Sequence, residues 1–175
     1  GMTFANGLRA ILRQDPDIIS VGEIRDGETA GIAMRSAITG HLVMSTLHTN
    51  DAVSAVYRLR DIGVEPWLIA SALRGVISQR LVRKICPHCK TAYQPSEEEL
   101  ALLGMPEDSQ TTFYKGVGCP ECRHTGYVGR RAAFEILMVN REVRRLVNDD
   151  AAYDELLAAA KKNGYRTMRD SCRDL

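Results

Sequence analysis

Asp15-Pro16-Asp17-Ile18-Ile19-Ser20-Val21-Gly22-Glu23-Ile24-Arg25-Asp26 reads as a short apolar strand that ends on a carboxylate. Ile18, Ile19 and Val21 are β-branched, and Pro16 and Gly22 bound the run, which predicts a central parallel strand covered on both faces. Glu23 then stands at the carboxyl end of that strand. In open α/β sheets ligands bind at that end, so a carboxylate there is placed to hold a hydrated magnesium ion beside a nucleotide phosphate. Taken alone, the same residues also describe a strand followed by a solvated acidic turn.

Thr39-Gly40-His41-Leu42-Val43-Met44-Ser45-Thr46-Leu47-His48-Thr49-Asn50 predicts a second strand with a polar exit, in which residues 42–47 are the buried run. An imidazole at the position of His48 can donate to a γ-phosphate and so tell ATP from ADP, although a lone histidine is more often a packed or surface residue. Residues 28–38 fit a crossover helix with Ile32, Ala33, Ser36 and Ala37 inward and Gly40 at its end, making a βαβ unit. Before the first strand, residues 4–14 read as a helix with Phe4, Leu8, Ile11 and Leu12 on one face and Arg9 and Arg13 one turn apart. After the second, Asn50 is expected to cap a helix that Gly63 stops, and Pro66 to open another running to about Gly75. Residues 76–85 then alternate imperfectly, as a strand does.

Cys86-Pro87-His88-Cys89 and Cys119-Pro120-Glu121-Cys122 are two C-x-x-C pairs, separated by residues 90–118. Each pair presents two thiolates from one tight turn, and two such knuckles complete the tetrahedral four-sulfur site that zinc favours in closed structural positions. Two disulfides, a redox pair or mere surface cysteines are the competing readings; the doubled spacing favours zinc. Four thiolates leave no position for water, so the metal would be structural. Inside the enclosed loop, Ser96 and Glu99 form a capping box for a short helix that ends near Gly104. Residues 132–139 predict a strand or strand pair, Asn140 caps a helix through Val147, and residues 151–162 make another before Asn163-Gly164.

The 175 residues, 45% of them hydrophobic, can bury a core. With 23 Lys and Arg against 22 Asp and Glu, broad attraction to nucleic acid or acidic membrane is not expected. No apolar run approaches the roughly 20 residues of a membrane helix.

Leu8-Arg9-Ala10-Ile11-Leu12-Arg13-Gln14-Asp15-Pro16-Asp17 with Val21-Gly22-Glu23-Ile24-Arg25-Asp26 resembles the Walker B region of the ATPases of type II secretion and type IV pilus assembly. The stretch from Thr39-Gly40-His41 to Leu47-His48-Thr49-Asn50 resembles their His box, in the same order, and the likeness continues through the cysteine pairs. It implies an α/β fold, the C-terminal part of a RecA-like P-loop NTPase sheet with a small four-cysteine zinc insertion and C-terminal helices. The expected divisions are residues 1–85 for the ATPase part, 86–125 for the zinc insertion and 126–175 for a mainly helical region. Glu23 would serve magnesium and its water and His48 the γ-phosphate, with Arg9, Arg13, Arg25, His41 and Arg130 matching positions near the nucleotide. Structural zinc at Cys86, Cys89, Cys119 and Cys122 and ATP with magnesium are the implied cofactors.

No G-x-x-x-x-G-K-[ST] loop occurs in the sequence. The resemblance therefore implies a C-terminal portion of a longer protein that does not by itself hydrolyse ATP, and whose cut sheet exposes apolar edges. It also implies a cytoplasmic homohexamer peripheral to the inner face of the plasma membrane. Its partners would be an inner-membrane platform and cytoplasmic assembly proteins, without direct contact to nucleic acid. The zinc insertion resembles the assembly and secretion branch more than the retraction motors. The competing function is a non-enzymatic, zinc-stapled docking module, which would be indifferent to Glu23 and His48.

Overall fold

Caps, glycines and alternating apolar residues set the element boundaries in the computed structural model, which describes residues 1, 3–106, 109 and 111–175. Thr3 accepts the Asn6 amide and opens α1 (Phe4–Ile11), which tightens into a 3-10 turn over Leu12–Gln14. The buried stripe of α1 is Ala5 and Leu8, with Leu12 half-buried beyond them. Phe4 and Ile11, expected on that face, are exposed because they lie at the edge of a stripe centred between Leu8 and Leu12.

β1 (Ile18–Val21), α2 (Gly27–Ile38) and β2 (Leu42–Ser45) form the expected βαβ unit. β1 and β2 pair in parallel, with Ile18 opposite Leu42 and Val21 opposite Ser45. Asp26 caps α2: its Oδ1 accepts the Thr29 amide at 2.8 Å and its Oδ2 accepts the Thr29 hydroxyl at 2.9 Å. Burial on both faces of β1 does not occur. Ile19 and Val21 point inward, whereas Ile18, Leu42 and Met44 stay exposed, because the described residues supply a helical layer on one face only.

α3 (Ser54–Asp61) follows β2 and is capped by Asp51, not Asn50. Asp51 stands three residues before the first helical amide it must satisfy, and accepts both the amide and the hydroxyl of Ser54, at 2.7 and 2.6 Å. Gly63, at φ +93°, turns the chain out of α3. α4 (Pro66–Ala72) begins on its proline and ends before Leu73, so Gly75 starts the next strand instead of closing the helix.

β3 (Gly75–Ile85) leads to β4 (Lys90–Tyr93), α5 (Glu97–Leu103), β5 (Phe113–Gly116) and β6 (Tyr127–Met138). β3 pairs with β6, and β4 pairs antiparallel with β5, Lys90 opposite Gly116. The capping box of α5 is present in both directions: the Glu99 amide donates to the Ser96 hydroxyl, and the Ser96 amide to Glu99. α6 (Arg141–Asn148) starts on the Asn140 side chain, α7 (Tyr153–Lys162) ends at Gly164 with φ +88°, and α8 (Met168–Arg173) closes the chain.

The chain divides into two compact units, Gly1–Ser78 with Glu135–Arg166, and Gln79–Phe134 with Thr167–Leu175. The first has a hydrocarbon core in which Leu59, Ile69, Leu137 and Leu156 are fully buried. In the second the buried cluster is sulfur: Cys86, Cys89 and Cys122, with Cys119 packed beside them.

Candidate functional site

Two backbone-level ties bring the loops leaving β1 and β2 together. The Ile24 amide donates to the Thr46 carbonyl at 3.1 Å, and the Thr46 hydroxyl donates to the Gly22 carbonyl at 2.6 Å. Those ties flank Glu23 and set its side chain beside His48, with Nε2 of the imidazole 3.2 Å from Oε1 of the carboxylate. Arg25 grips the other oxygen at 2.7 Å. The Arg25 hydrogen bond, with smaller contributions from the Arg25 and His48 charges, holds the Glu23 carboxyl below its usual range. The carboxylate is 21% exposed and the imidazole 87%. An ion pair this open to water is easily exchanged for another partner. At the carboxyl end of a parallel pair, an ionised carboxylate, an imidazole and a guanidinium can together take a hydrated divalent cation and a phosphate oxygen.

The other residues singled out in the sequence stand on other elements. Arg9 is engaged by Glu28 at 2.7 Å and by Asn6 at 3.2 Å, and Arg13 is exposed in the 3-10 turn. His41 precedes β2, at the opposite end of that strand from His48. Its Nδ1 lies 3.0 Å from the Ser36 carbonyl, and it lines an open hollow with Leu12, Ile32 and Arg35. Arg130 is exposed on β6, in the second unit.

Sequence reading missed one charged residue. Glu135 is 3% exposed, and its Oε1 accepts the Ala52 amide at 2.6 Å. The signal was available: a lone acid inside the apolar run of residues 132–139 has to be either a surface residue or a satisfied buried one.

The four cysteine sulfurs Cys86, Cys89, Cys119 and Cys122 lie within 4.8 Å of one another. Cys86 to Cys119 and Cys89 to Cys122 are each 3.9 Å, and Cys119 to Cys122 is 3.7 Å. In a regular tetrahedron, edges of these three lengths correspond to arms of about 2.3–2.4 Å, the length of a zinc–thiolate bond. All are free thiols, so the disulfide reading fails. Burial pushes the Cys89 thiol up to about 11. It pushes Cys122 upward too, but the amides of Cys119 and Gly126, each donating at 3.2 Å, outweigh it and bring that thiol to about 6. A cluster with one thiol so readily ionised fits a metal centre, and it leaves no ligand position for solvent.

The family profile described as "Type II/IV secretion system protein" matches residues 1–175. The type IV pilus assembly ATPase PilB of Thermus thermophilus is 52% identical over 172 residues, covering 97% of this chain and 19% of that protein. The type II secretion system ATPase E of Vibrio cholerae is 55% identical over 173 residues, covering 99% and 33% respectively. Among solved structures, that of the pilus retraction motor PilT with bound ADP superposes with a TM-score of 0.57 at 31% identity, over 97% of this chain and 42% of that one. The ATPase DotB of Legionella pneumophila gives 0.59 at 26% identity, over 95% and 36%. The chain thus spans about a fifth to a third of the length of these curated relatives.

Proposed function

We propose that this chain, which belongs to the Type II/IV secretion system protein family, is the later part of an ATP-driven motor for type II secretion or type IV pilus assembly. The observation that carries this reading is the contact of Glu23 with both His48 and Arg25 at the ends of two parallel strands. In that reading the sheet is RecA-like, Glu23 orders a magnesium ion and its water, and His48 donates to the γ-phosphate. With a cation on Glu23, Arg25 would be free to pair with phosphate or with a neighbouring subunit. Arg9, Arg13, His41 and Arg130 are proposed as outer contacts to nucleotide or neighbour.

The motor is proposed to act as a homohexamer at the cytoplasmic face of the inner membrane, against a membrane platform and soluble assembly proteins. No helix among the described residues is long and apolar enough to cross a membrane. Nucleotide-driven reorientation of domains would turn chemistry into motion. A role without nucleic acid is supported by the near-neutral charge. It is also supported by hairpin tyrosines already covered by the chain's own cations, Lys90 over Tyr114 and Lys115 over Tyr93. Zinc is the proposed occupant of the cysteine cluster, as a structural staple. The 175 residues hold no phosphate loop, so turnover by them alone is proposed to be negligible.

The test is nucleotide discrimination in a chain extended upstream through a phosphate loop. Loss of a hydrogen bond to a charged oxygen in His48→Ala should lower the preference for ATP over ADP by about tenfold or more. An unchanged preference would contradict the sensor role.

A further inference from the structure

His48 itself has almost no packing, although the connection that carries it ends on the fully buried Ala52 and Val53 and its neighbour Leu47 packs against the core. β2 ends at Ser45 and α3 begins at Ser54, and the imidazole between them is 87% exposed. With the imidazole itself in solvent, its position depends on how the connection is held at each end, by hydrogen bonds as well as by that packing. The near end is fastened to β1 through Thr46, by the two hydrogen bonds that flank Glu23. At the far end, Thr49 donates to the Asp51 carbonyl at 3.0 Å, Asp51 caps α3, and the Ala52 amide donates at 2.6 Å to the buried carboxylate of Glu135.

Glu135 is an expensive residue to place there. A carboxylate that is 3% exposed within an apolar strand is tolerated only when hydrogen bonds satisfy it, and a fold that needed only a filled core would be served by a hydrocarbon side chain. Its second partner is the Tyr165 hydroxyl, from the segment after α7. Burial, reinforced by the negative charges of Glu135 and Asp51, keeps that hydroxyl above its usual range and so a donor. Tyr153 at the start of α7 hydrogen-bonds Asp51 and lies against Tyr57 of α3, their ring centroids 5.9 Å apart. The far end of the His48 connection is thus held by a carboxylate and two tyrosines in addition to the buried Ala52 and Val53, all within one unit.

We propose that Glu135 is a positioning residue for His48: by holding the Ala52 amide it fixes the far end of the connection and keeps the imidazole within reach of Glu23 and of a bound phosphate. The proposal rests on the sensor reading of His48.

Two measurements test it. In the 175-residue chain, Glu135→Leu removes the acceptor, and the Ala52 amide should exchange about tenfold faster or more, while the amides of β1 keep their protection. In the chain extended through a phosphate loop, Glu135→Leu should lower kcat for ATP about tenfold and weaken the preference for ATP over ADP as His48→Ala does, and Glu135→Gln, which keeps an acceptor, should recover most of both losses. In a His48→Ala background the same Glu135→Leu change should cost no more than about twofold, because its route of action is gone. Should Glu135→Leu fail to fold, Tyr165→Phe loosens Glu135 while keeping the ring in place; it should cost about threefold in kcat, and nothing further once His48 is alanine.

Full multiplicative losses in the His48→Ala background would overturn the positioning role and leave the sensor reading intact. So would normal kcat in Glu135→Leu or, where that variant does not fold, in Tyr165→Phe. Normal turnover in His48→Ala alone would remove the sensor reading and this proposal with it.

Discussion

Withdrawing the metal from the cysteine cluster should release the knuckles of the second unit and leave the first unit folded. Sulfur edges of 3.7–3.9 Å require arms of about 2.3–2.4 Å in a tetrahedron, so X-ray absorption at the zinc edge should return four sulfur neighbours at about 2.3 Å and no light-atom neighbour. The energetic stake is large relative to anything else nearby. A closed zinc–thiolate site contributes on the order of 10–16 kcal/mol of folding free energy. Among the described residues of the second unit, the buried hydrocarbon side chains are Leu100 and Ala133, and a buried leucine contributes only about 1.5–3 kcal/mol. The reporters are the amides of Cys86, Val117 and His124, which donate to the carbonyls of Gly126, Cys89 and Cys119. After chelation at neutral pH their hydrogen exchange should approach unprotected rates, while the amides of Ile19, Val56 and Val143 remain slow. Protein that carries no metal when purified anaerobically, or chelated protein whose Cys86 and His124 amides stay protected, would refute this account of the second unit.

Gly116→Ala should weaken the same unit from a different side. A β-carbon there meets the backbone of Gly126, which cannot swing away as a side chain would, so the hairpin must shift at a cost of about 1–3 kcal/mol. A zinc competition assay should show at least about tenfold weaker metal retention, and unchanged retention would count against the close approach. In the first unit, Asp26→Ala removes the cap of α2 and should lower stability by about 1 kcal/mol at neutral pH, read from urea midpoints. The Asp26 carboxyl is held below its ordinary value of 3.8 by the Thr29 amide and hydroxyl. A depressed folded value means that the cap's contribution is complete above 3.8 and is lost as pH falls through the folded value. The gap between parent and variant should therefore close on acidification, and a gap independent of pH would show that the charge is irrelevant.

Much of this architecture was legible because it follows local rules. The Ser96–Glu99 box and the Asn140 cap depend on residues a few positions apart, the βαβ unit and the four-cysteine cluster join segments that each carry their own local signature, and each is present. The placement of Glu23 and His48 at the same end of the parallel pair was legible from the strand order, whereas their direct contact is a finding of the structure. What escaped depends on distant partners. The β4–β5 pair has short strands joined through a long helical excursion, without a tight-turn signature. One-sided exposure of Ile18, Leu42 and Met44 depends on which layers are present, which periodicity within one strand does not encode. Asp51 displaced Asn50 as the cap because α3 starts later than its apolar pattern suggests. Glu135 looked like one polar residue in a strand; its burial comes from the Ala52 amide and Tyr165, far away in sequence.

ATP turnover in a chain extended upstream through a phosphate loop, compared with the same chain carrying Glu23→Gln, tests the motor reading most directly. Exchanging the carboxylate for an amide keeps the shape beside His48 and Arg25 but removes the charge that would order magnesium and its water. The expected result is robust hydrolysis in the parent and a loss of about a hundredfold or more in the variant, with the cysteine cluster still metallated. Equal turnover in the two chains, or none in the parent, would contradict the account and favour a zinc-stapled docking module.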